Sequence, residues 1–172
     1  FRQVNPDNGE LATERTEVRI AFSENSLYLG VSCFDSDPEG MRGNTMQRDG
    51  SLGGDDRFQF ILDTFLDGRS AYFFALNPSG AMVDSTVLPG GRQERSWDGI
   101  WNARVRRTDQ GWFIEIEIPF RTINFDPNAE AWGINFLRTV RRRNEDSHWN
   151  GFSRNTTLRS VSNAGLLKGL SE

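Results

Sequence analysis

The chain contains 172 residues and carries a formal net charge of −4, which argues against a general nucleic-acid-binding role. Aromatic residues make up 12%, including 13 Phe and 5 Trp, and the 17 glycines suit many turns, so the composition favours a β-sandwich over a helical bundle. The length is sufficient for one domain with a substantial core, and we predict that residues 1–172 form a single domain.

The first third of the chain begins with polar residues 1–12, which predict a leading loop. Apolar and polar side chains then alternate over residues 16–22 and 27–34, which predicts an antiparallel hairpin with one buried and one solvated face. The single Cys33 alternates with apolar residues of the second strand, which indicates a buried small hydrophobe and excludes an internal disulfide or a thiolate metal cluster. Residues 41–54 are polar and glycine-rich and predict a loop.

The middle of the chain predicts the centre of the fold. Residues 58–65 are largely apolar on both faces, as is typical of a central strand. An Asp-Gly turn at residues 66–69 brings residues 71–76 back antiparallel, and a third strand starts after the turn at residues 77–80. We expect residues 87–96 to form a loop.

The last third supplies further strands. Residues 101–107 and 112–118 predict a second hairpin around the turn at residues 109–111. Residues 131–140 predict another strand, and residues 164–170 predict a short edge strand that closes the fold. With eight to ten strands and no long helical pattern, the sequence predicts an all-β fold, an antiparallel β-sandwich of jelly-roll type.

Two ordered sets of short motifs run through nearly the whole chain. The first set is Leu27-Tyr28-Leu29-Gly30-Val31, Asp35-Ser36-Asp37-Pro38, Gly54-Asp55-Asp56-Arg57-Phe58 and Leu62-Asp63. The second set is Trp97-Asp98-Gly99-Ile100-Trp101, Gly111-Trp112-Phe113-Ile114-Glu115-Ile116-Glu117-Ile118-Pro119-Phe120 and Trp132-Gly133-Ile134-Asn135-Phe136. Together they resemble the family 9 carbohydrate-binding modules and their DOMON-like relatives. The closer resemblance is to a subgroup at the N-terminus of large bacterial proteins, in which a membrane-barrel-like region is thought to follow.

The resemblance implies a β-sandwich, export across the inner membrane, and a non-catalytic glycan-binding role. The expected location is the bacterial periplasm, the outer membrane or the medium. The expected partner is a glycan or a neighbouring domain of the same chain, with no nucleic acid and no direct membrane insertion. The sequence shows no signal peptide and no membrane-spanning run. Because it begins with Phe1 rather than Met, we expect it to be a piece of a longer protein.

The resemblance also implies a sugar site, because flat aromatic rings and planar polar groups suit pyranose faces and hydroxyls. In the family two Trp residues clamp the sugar. The first position is Gly53-Gly54 here, and Trp149 is the counterpart of the second. Gln59 stands near an acidic residue of the family and Asn77 near its Asn, while Trp97 in a glycine-flanked loop replaces the lost clamp. Packing roles are the competing interpretation for both Trp residues.

Acidic residues at strand ends form a candidate metal site. Asp35, Asp37 and Asp56 are the first candidates, since carboxylates near backbone carbonyls can hold calcium, and relatives often carry structural calcium. Turn capping and solvation are the competing interpretation. No organic cofactor is expected.

Enzymatic and haem functions have little support in the sequence. Glu115 and Glu117 lie on one strand face, roughly 6.5–7 Å apart by strand rise, but charges on a solvated face explain this spacing better than glycoside hydrolysis. The only histidine, His148, has no Ser or Cys partner at a suggestive spacing, and haem ligation by His148 with a Met is a minor alternative. The alternative to sugar binding is a structural or protein-interaction domain that has lost it.

Overall fold

The computed structural model describes residues 1–169, in which the regular structure consists of strands and short 3₁₀ turns. The strands are β1 (Arg2–Asn5), β2 (Thr16–Phe22), β3 (Ser26–Phe34), β4 (Arg57–Asp63), β5 (Ala71–Leu76), β6 (Met82–Leu88), β7 (Arg92–Glu94), β8 (Asn102–Thr108), β9 (Gly111–Pro119), β10 (Ala131–Val140), β11 (Glu145–His148) and β12 (Gly165–Lys168). The 3₁₀ turns are Pro38–Gly40, Phe120–Thr122, Arg141–Arg143 and Val161–Asn163. Within residues 1–169, no helix has the length and apolar character needed to cross a membrane.

The strands form two antiparallel sheets packed as a sandwich. The larger sheet has the order β1-β11-β10-β4-β5-β6-β7, and the smaller sheet has the order β2-β3-β9-β8. On one edge of β10, β12 pairs with Ala131 to Ile134 and β11 pairs with Leu137 to Val140. The antiparallel sandwich of jelly-roll type that the sequence predicts is confirmed.

The core lies between the sheets, where every second side chain of the central strands points inward. The inward residues of the smaller sheet are Leu27, Leu29, Val31 and Cys33 on β3 and Trp112, Ile114, Ile116 and Ile118 on β9. The larger sheet contributes stacked rings, with centroids 4.9 Å apart for Phe60 and Phe74 and 5.9 Å apart for Phe58 and Phe136. Burial raises the pKa of Cys33 to about 11, so its thiol stays neutral and packs as an apolar group.

Three strands depart from the sequence prediction. β1 pairs with β11 where a leading loop was expected, and β7 pairs with β6 where a loop was expected. β11 itself has no counterpart in the prediction. These strands have three or four residues each and are mostly polar, so they lack the alternation that predicts longer strands. The closing edge strand is present as β12, while Leu170, its expected end, lies outside the described residues.

Candidate functional site

The outer face of the larger sheet carries an open groove made of two adjoining cavities. The first cavity has a volume of about 240 Å³ and the second about 330 Å³. Gln59, Phe73 and Gln93 line both cavities, so the two form one continuous surface. Together they reach the lower part of the range of roughly 300–1,000 Å³ that is typical of small-molecule sites.

Side-chain alternation on the central strands builds the floor of this groove. Because Phe58, Phe60 and Phe74 point into the core, their neighbours Gln59 on β4 and Phe73 on β5 point outward. Gln59 presents its amide without a side-chain hydrogen bond among the described residues, whereas the Gln93 amide donates to a serine hydroxyl. Phe73 is only 7% exposed and is the one Phe, Tyr or Trp among the described lining residues. The floor therefore presents the amides of Gln59 and Gln93 among largely buried apolar side chains and lacks an open aromatic platform.

Two loops form the walls of the groove, residues 50–53 at the first cavity and residues 154–159 at the second. The first wall is anchored by the buried Asp55, which accepts hydrogen bonds from the backbone of Asn44 (2.9 Å) and Thr45 (3.0 Å). Asn77 is fully buried and donates to Asp55 (2.9 Å) and to the carbonyl of Thr45 (2.7 Å). Both amide hydrogens of Asn77 are thereby used inside the protein, where they hold Thr45, whose hydroxyl donates to the carbonyl of Ser51 in the wall (2.8 Å).

Four arginines line the groove. Arg57 and Arg95 line the first cavity, and Arg154 and Arg159 line the second. None of the four forms a salt bridge with a carboxylate of residues 1–169. Arg57 donates from Nε to the hydroxyl of Thr139 (3.1 Å), and burial lowers the pKa of its guanidinium, which still stays protonated at neutral pH.

Only two acidic residues stand among the described lining residues, Asp84 and Asp146. Asp84 is buried, accepts a hydrogen bond from the Trp101 indole (2.6 Å), and pairs with Arg48. Burial raises the pKa of Asp84, and these two partners act against that rise. Asp146 accepts a hydrogen bond from the Thr139 hydroxyl. The groove therefore carries an excess of positive charge in a protein whose net charge is −4.

His148 on β11 lines the second cavity. Its Nδ1 lies 2.9 Å from the carbonyl oxygen of Gly151, and because a carbonyl only accepts, Nδ1 carries the proton and Nε2 is left as an acceptor. Burial lowers the pKa of His148 below its ordinary value of 6.5, while the Gly151 carbonyl and Asp146 act in the opposite direction. The imidazole is therefore neutral at pH 7.

The depressed pKa of His148 predicts a pH-dependent stability. Below pH 6.5 the unfolded chain takes up a proton on His148 that the folded chain resists, so the free energy of unfolding falls as pH decreases. Because one proton is taken up, His148 can change the free energy of unfolding by at most about 1.4 kcal/mol per pH unit. Urea unfolding measured between pH 5 and 8 should show this fall in the free energy of unfolding in the wild type and not in His148→Gln. Parallel curves for the two proteins would contradict it.

The two candidate Trp residues lie outside the groove. Trp149 directly follows His148, and its ring packs against the core residue Phe136, with centroids 5.6 Å apart, and against Gly165. Trp97 packs over Tyr72 at 4.8 Å, on the core side of β5. Of the four residues that the sequence suggested for ligand binding, Gln59 lines the groove. Asn77 is buried and Trp97 is partly buried, whereas Trp149 packs against Phe136 on one side and remains 44% exposed, away from the groove.

The three candidate metal ligands do not converge. Asp35 is buried against Arg142, at 2.8 Å, and Asp56 accepts the backbone N–H of Arg141, at 2.8 Å. Asp37 caps the turn Pro38–Gly40. In residues 1–169 no group of three or more His, Cys, Asp or Glu side chains is arranged to hold a metal ion. Guanidinium and backbone donors take the places that a calcium ion would need, so these residues do not fit a calcium site.

Most residues of the groove were not found by sequence reasoning. They are Arg57, Phe73, Gln93, Arg95, His148, Arg154 and Arg159. The alternation that points Gln59 outward also points Arg57 outward, so that signal was available in the sequence. Phe73 lies on the predicted strand β5, but that strand is apolar on both faces and its period does not single out Phe73. The remaining residues lie on unpredicted strands or on loops, where no periodicity indicates which way a side chain points.

No protein-family model and no curated protein matches the sequence. Solved structures with the same fold include a candidate carbohydrate-binding protein from Bacteroides uniformis, which is 14% identical with a TM-score of 0.72, over 90% of this chain and 78% of that one. A family 9 carbohydrate-binding module from Caldicellulosiruptor kristjanssonii is 12% identical with a TM-score of 0.65. The match covers 93% of this chain and 77% of the module in complex with cellotriose, or 78% of the module in complex with glucose. The chain therefore has a fold like that of family 9 carbohydrate-binding modules.

Proposed function

We propose that this chain is a non-catalytic carbohydrate-binding module that holds an oligosaccharide in the groove on the outer face of the larger sheet. The observation that carries the proposal is the groove itself, an open surface across the central strands β4 and β5 lined by two planar amides, Gln59 and Gln93. Planar amides suit the paired donors and acceptors of sugar hydroxyls. Further support is the fold shared with a module bound to cellotriose.

We also propose that the module belongs to a larger exported bacterial protein. The support is the resemblance of the ordered sequence motifs to family 9 modules, to their DOMON-like relatives, and to the subgroup at the N-terminus of large bacterial proteins. The periplasm, the outer membrane or the medium is then the place where it meets its glycan.

Glycan binding is expected to be saturable and to depend on Gln59. The test is a glycan array of neutral and acidic oligosaccharides, followed by calorimetry with the best binders. Gln59→Ala should weaken binding at least about tenfold, because a buried sugar hydroxyl loses its partner. The matched control Gln110→Ala changes an exposed amide in the β8–β9 turn and should bind as the wild type does.

Trp149 provides a second control for the location of the site. Because its ring packs against Phe136 and Gly165, Trp149→Ala should retain binding after correction for any loss of folded protein. Binding that is lost in Trp149→Ala but kept in Gln59→Ala would place the sugar elsewhere on the protein and contradict the proposed groove.

A structural or protein-interaction domain is the second candidate function. The observation that favours it is the nearly buried Phe73, because sugar-binding sites commonly use an exposed aromatic ring. Absence of binding to every glycan of the array, with the fold intact, would support this candidate and refute the first.

A further inference from the structure

We propose that the groove selects glycans that carry an anionic group, either a carboxylate or a sulfate. This inference rests on the proposed function and names the class of glycan. It starts from the charges of the groove, where the guanidinium groups of Arg57, Arg95, Arg154 and Arg159 outnumber the two carboxylates. A neutral sugar offers no group that matches this excess charge.

The arginines of the groove differ from other arginines of this protein in their partners. Arg48 and Arg142 are neutralised by buried carboxylates, Asp84 for the first and Glu14 and Asp35 for the second. The four groove arginines contact no carboxylate of residues 1–169 within salt-bridge distance, and the terminal nitrogens of Arg57 donate no side-chain hydrogen bond there. Arg154 donates from Nη2 to the carbonyl of Pro6 (2.9 Å), whereas the planar donor pairs of Arg57, Arg95 and Arg159 are available for a bidentate contact with a carboxylate or a sulfate.

The position of these charges suits a sugar acid rather than a free ion. Arg57 lies on β4 two residues from Gln59, on the same face, so a guanidinium and an amide stand side by side on the floor. One sugar ring can then offer its acidic group to Arg57 and its hydroxyls to Gln59. Arg159 lies beyond the shared residues in the second cavity, where it would meet an acidic group on a following ring.

The floor also explains how the groove would hold a sugar without an open aromatic ring. Phe73 is 7% exposed, so stacking contributes little. Hydrogen bonds in which one partner is charged are roughly twice as strong as those between two neutral groups. Two arginine contacts would thus replace the affinity that an aromatic clamp gives to neutral sugars.

Calorimetry on the full chain with three probes tests the proposal. The probes are trigalacturonic acid for the carboxylate, a carrageenan tetrasaccharide for the sulfate, and cellotriose as the neutral sugar. At least one acidic probe should bind at least about tenfold more tightly than cellotriose, and its affinity should fall several-fold between about 50 and 500 mM NaCl. The tighter acidic probe identifies the anionic group.

Charge-neutral variants locate the effect. Arg95→Gln and Arg159→Gln should each weaken the acidic probe about fivefold to tenfold, and should weaken it by a larger factor than they weaken cellotriose. The matched control Arg106→Gln removes an exposed arginine on β8, in the smaller sheet, and should change neither. Because Arg95 is exposed, its substitution tests the charge without disturbing a buried contact.

The outcomes separate the two proposals. Cellotriose binding that is lost in Gln59→Ala, with acidic probes bound no more tightly, would overturn the anionic selectivity and leave glycan binding standing. If Arg106→Gln weakens binding of the acidic probe as much as Arg95→Gln does, the anionic selectivity of the groove would also be overturned, because the effect would then depend on the net charge of the protein and not on the groove. Failure of every probe and every array glycan to bind would refute the proposed function itself.

Discussion

Replacing Gly111 with valine is expected to lower the free energy of unfolding by at least about 3 kcal/mol. Gly111 begins β9 with a φ of +135°, a conformation that side chains with a Cβ rarely adopt. A Cβ at this position would lie 2.2 Å from the carbonyl oxygen of Cys33 and 2.9 Å from the Cα of Phe34. Backbone atoms of a buried strand pair cannot move aside, so urea or thermal unfolding should show a large shift of the midpoint.

Two other glycines serve as controls for this prediction. Gly30 lies in β3 of the same sheet, and a Cβ there would meet no atom within 4 Å, so Gly30→Ala should change stability by less than about 1 kcal/mol. Gly90 has a φ of +85° in open space, so Gly90→Ala isolates the backbone strain, expected at about 1–3 kcal/mol. An unchanged midpoint for Gly111→Val would mean that the β8–β9 turn is built differently.

Replacing Arg142 with alanine is expected to destabilise the fold by about 3–5 kcal/mol. Its guanidinium lies 2.7 Å from Glu14 and 2.8 Å from Asp35, whose side chains are 6% and 1% exposed. Removing the cation leaves both carboxylates buried without their principal charge partner. Arg138 also reaches Asp35, at 3.5 Å, and compensates only in part. Urea unfolding at pH 7 measures the loss.

The neighbouring Arg143 provides the matched control. It lies in the same 3₁₀ turn and approaches Glu14 at 3.4 Å, but its side chain is 44% exposed. Arg143→Ala should therefore cost no more than about 1 kcal/mol. Equal effects of the two substitutions would show that the buried carboxylates do not depend on Arg142.

The strands that sequence reasoning predicted are those that bury at least one face. Residues of β3 and β9 alternate so regularly that the hairpins and their inward side chains follow from the period of two. β7 and β11 join the sheet through backbone hydrogen bonds and carry polar side chains to its outer face. Backbone pairing leaves no mark on composition, so these strands became visible only in the structure.

In the candidate site, too, the sequence does not indicate the direction of every side chain. A shift of one residue moves a side chain to the other face of a strand. His148 lines the groove, and Trp149, the next residue, packs against the core residue Phe136. Trp149 was selected as the counterpart of a clamp Trp in the resembled family, and nothing in the local sequence indicated its side of the sheet. Gln59 was selected because it stands near an acidic residue of the resembled family, and the structure places it on the groove side of β4, opposite the buried Phe58 and Phe60.

The division of the groove between strands and loops has a consequence for protein engineering. The floor belongs to β4 and β5, whose other face is the core, whereas the walls at residues 50–53 and 154–159 belong to loops. Within these loops Leu52 and Leu158 belong to a buried cluster with Ile61 on the outer face of the larger sheet, whereas Ser51 and Arg154 are exposed. Substitutions at the exposed loop positions would alter ligand preference, while the two leucines must be kept for packing. The sandwich thus offers a scaffold for libraries of binding reagents in which the exposed wall residues vary and the buried wall residues stay constant.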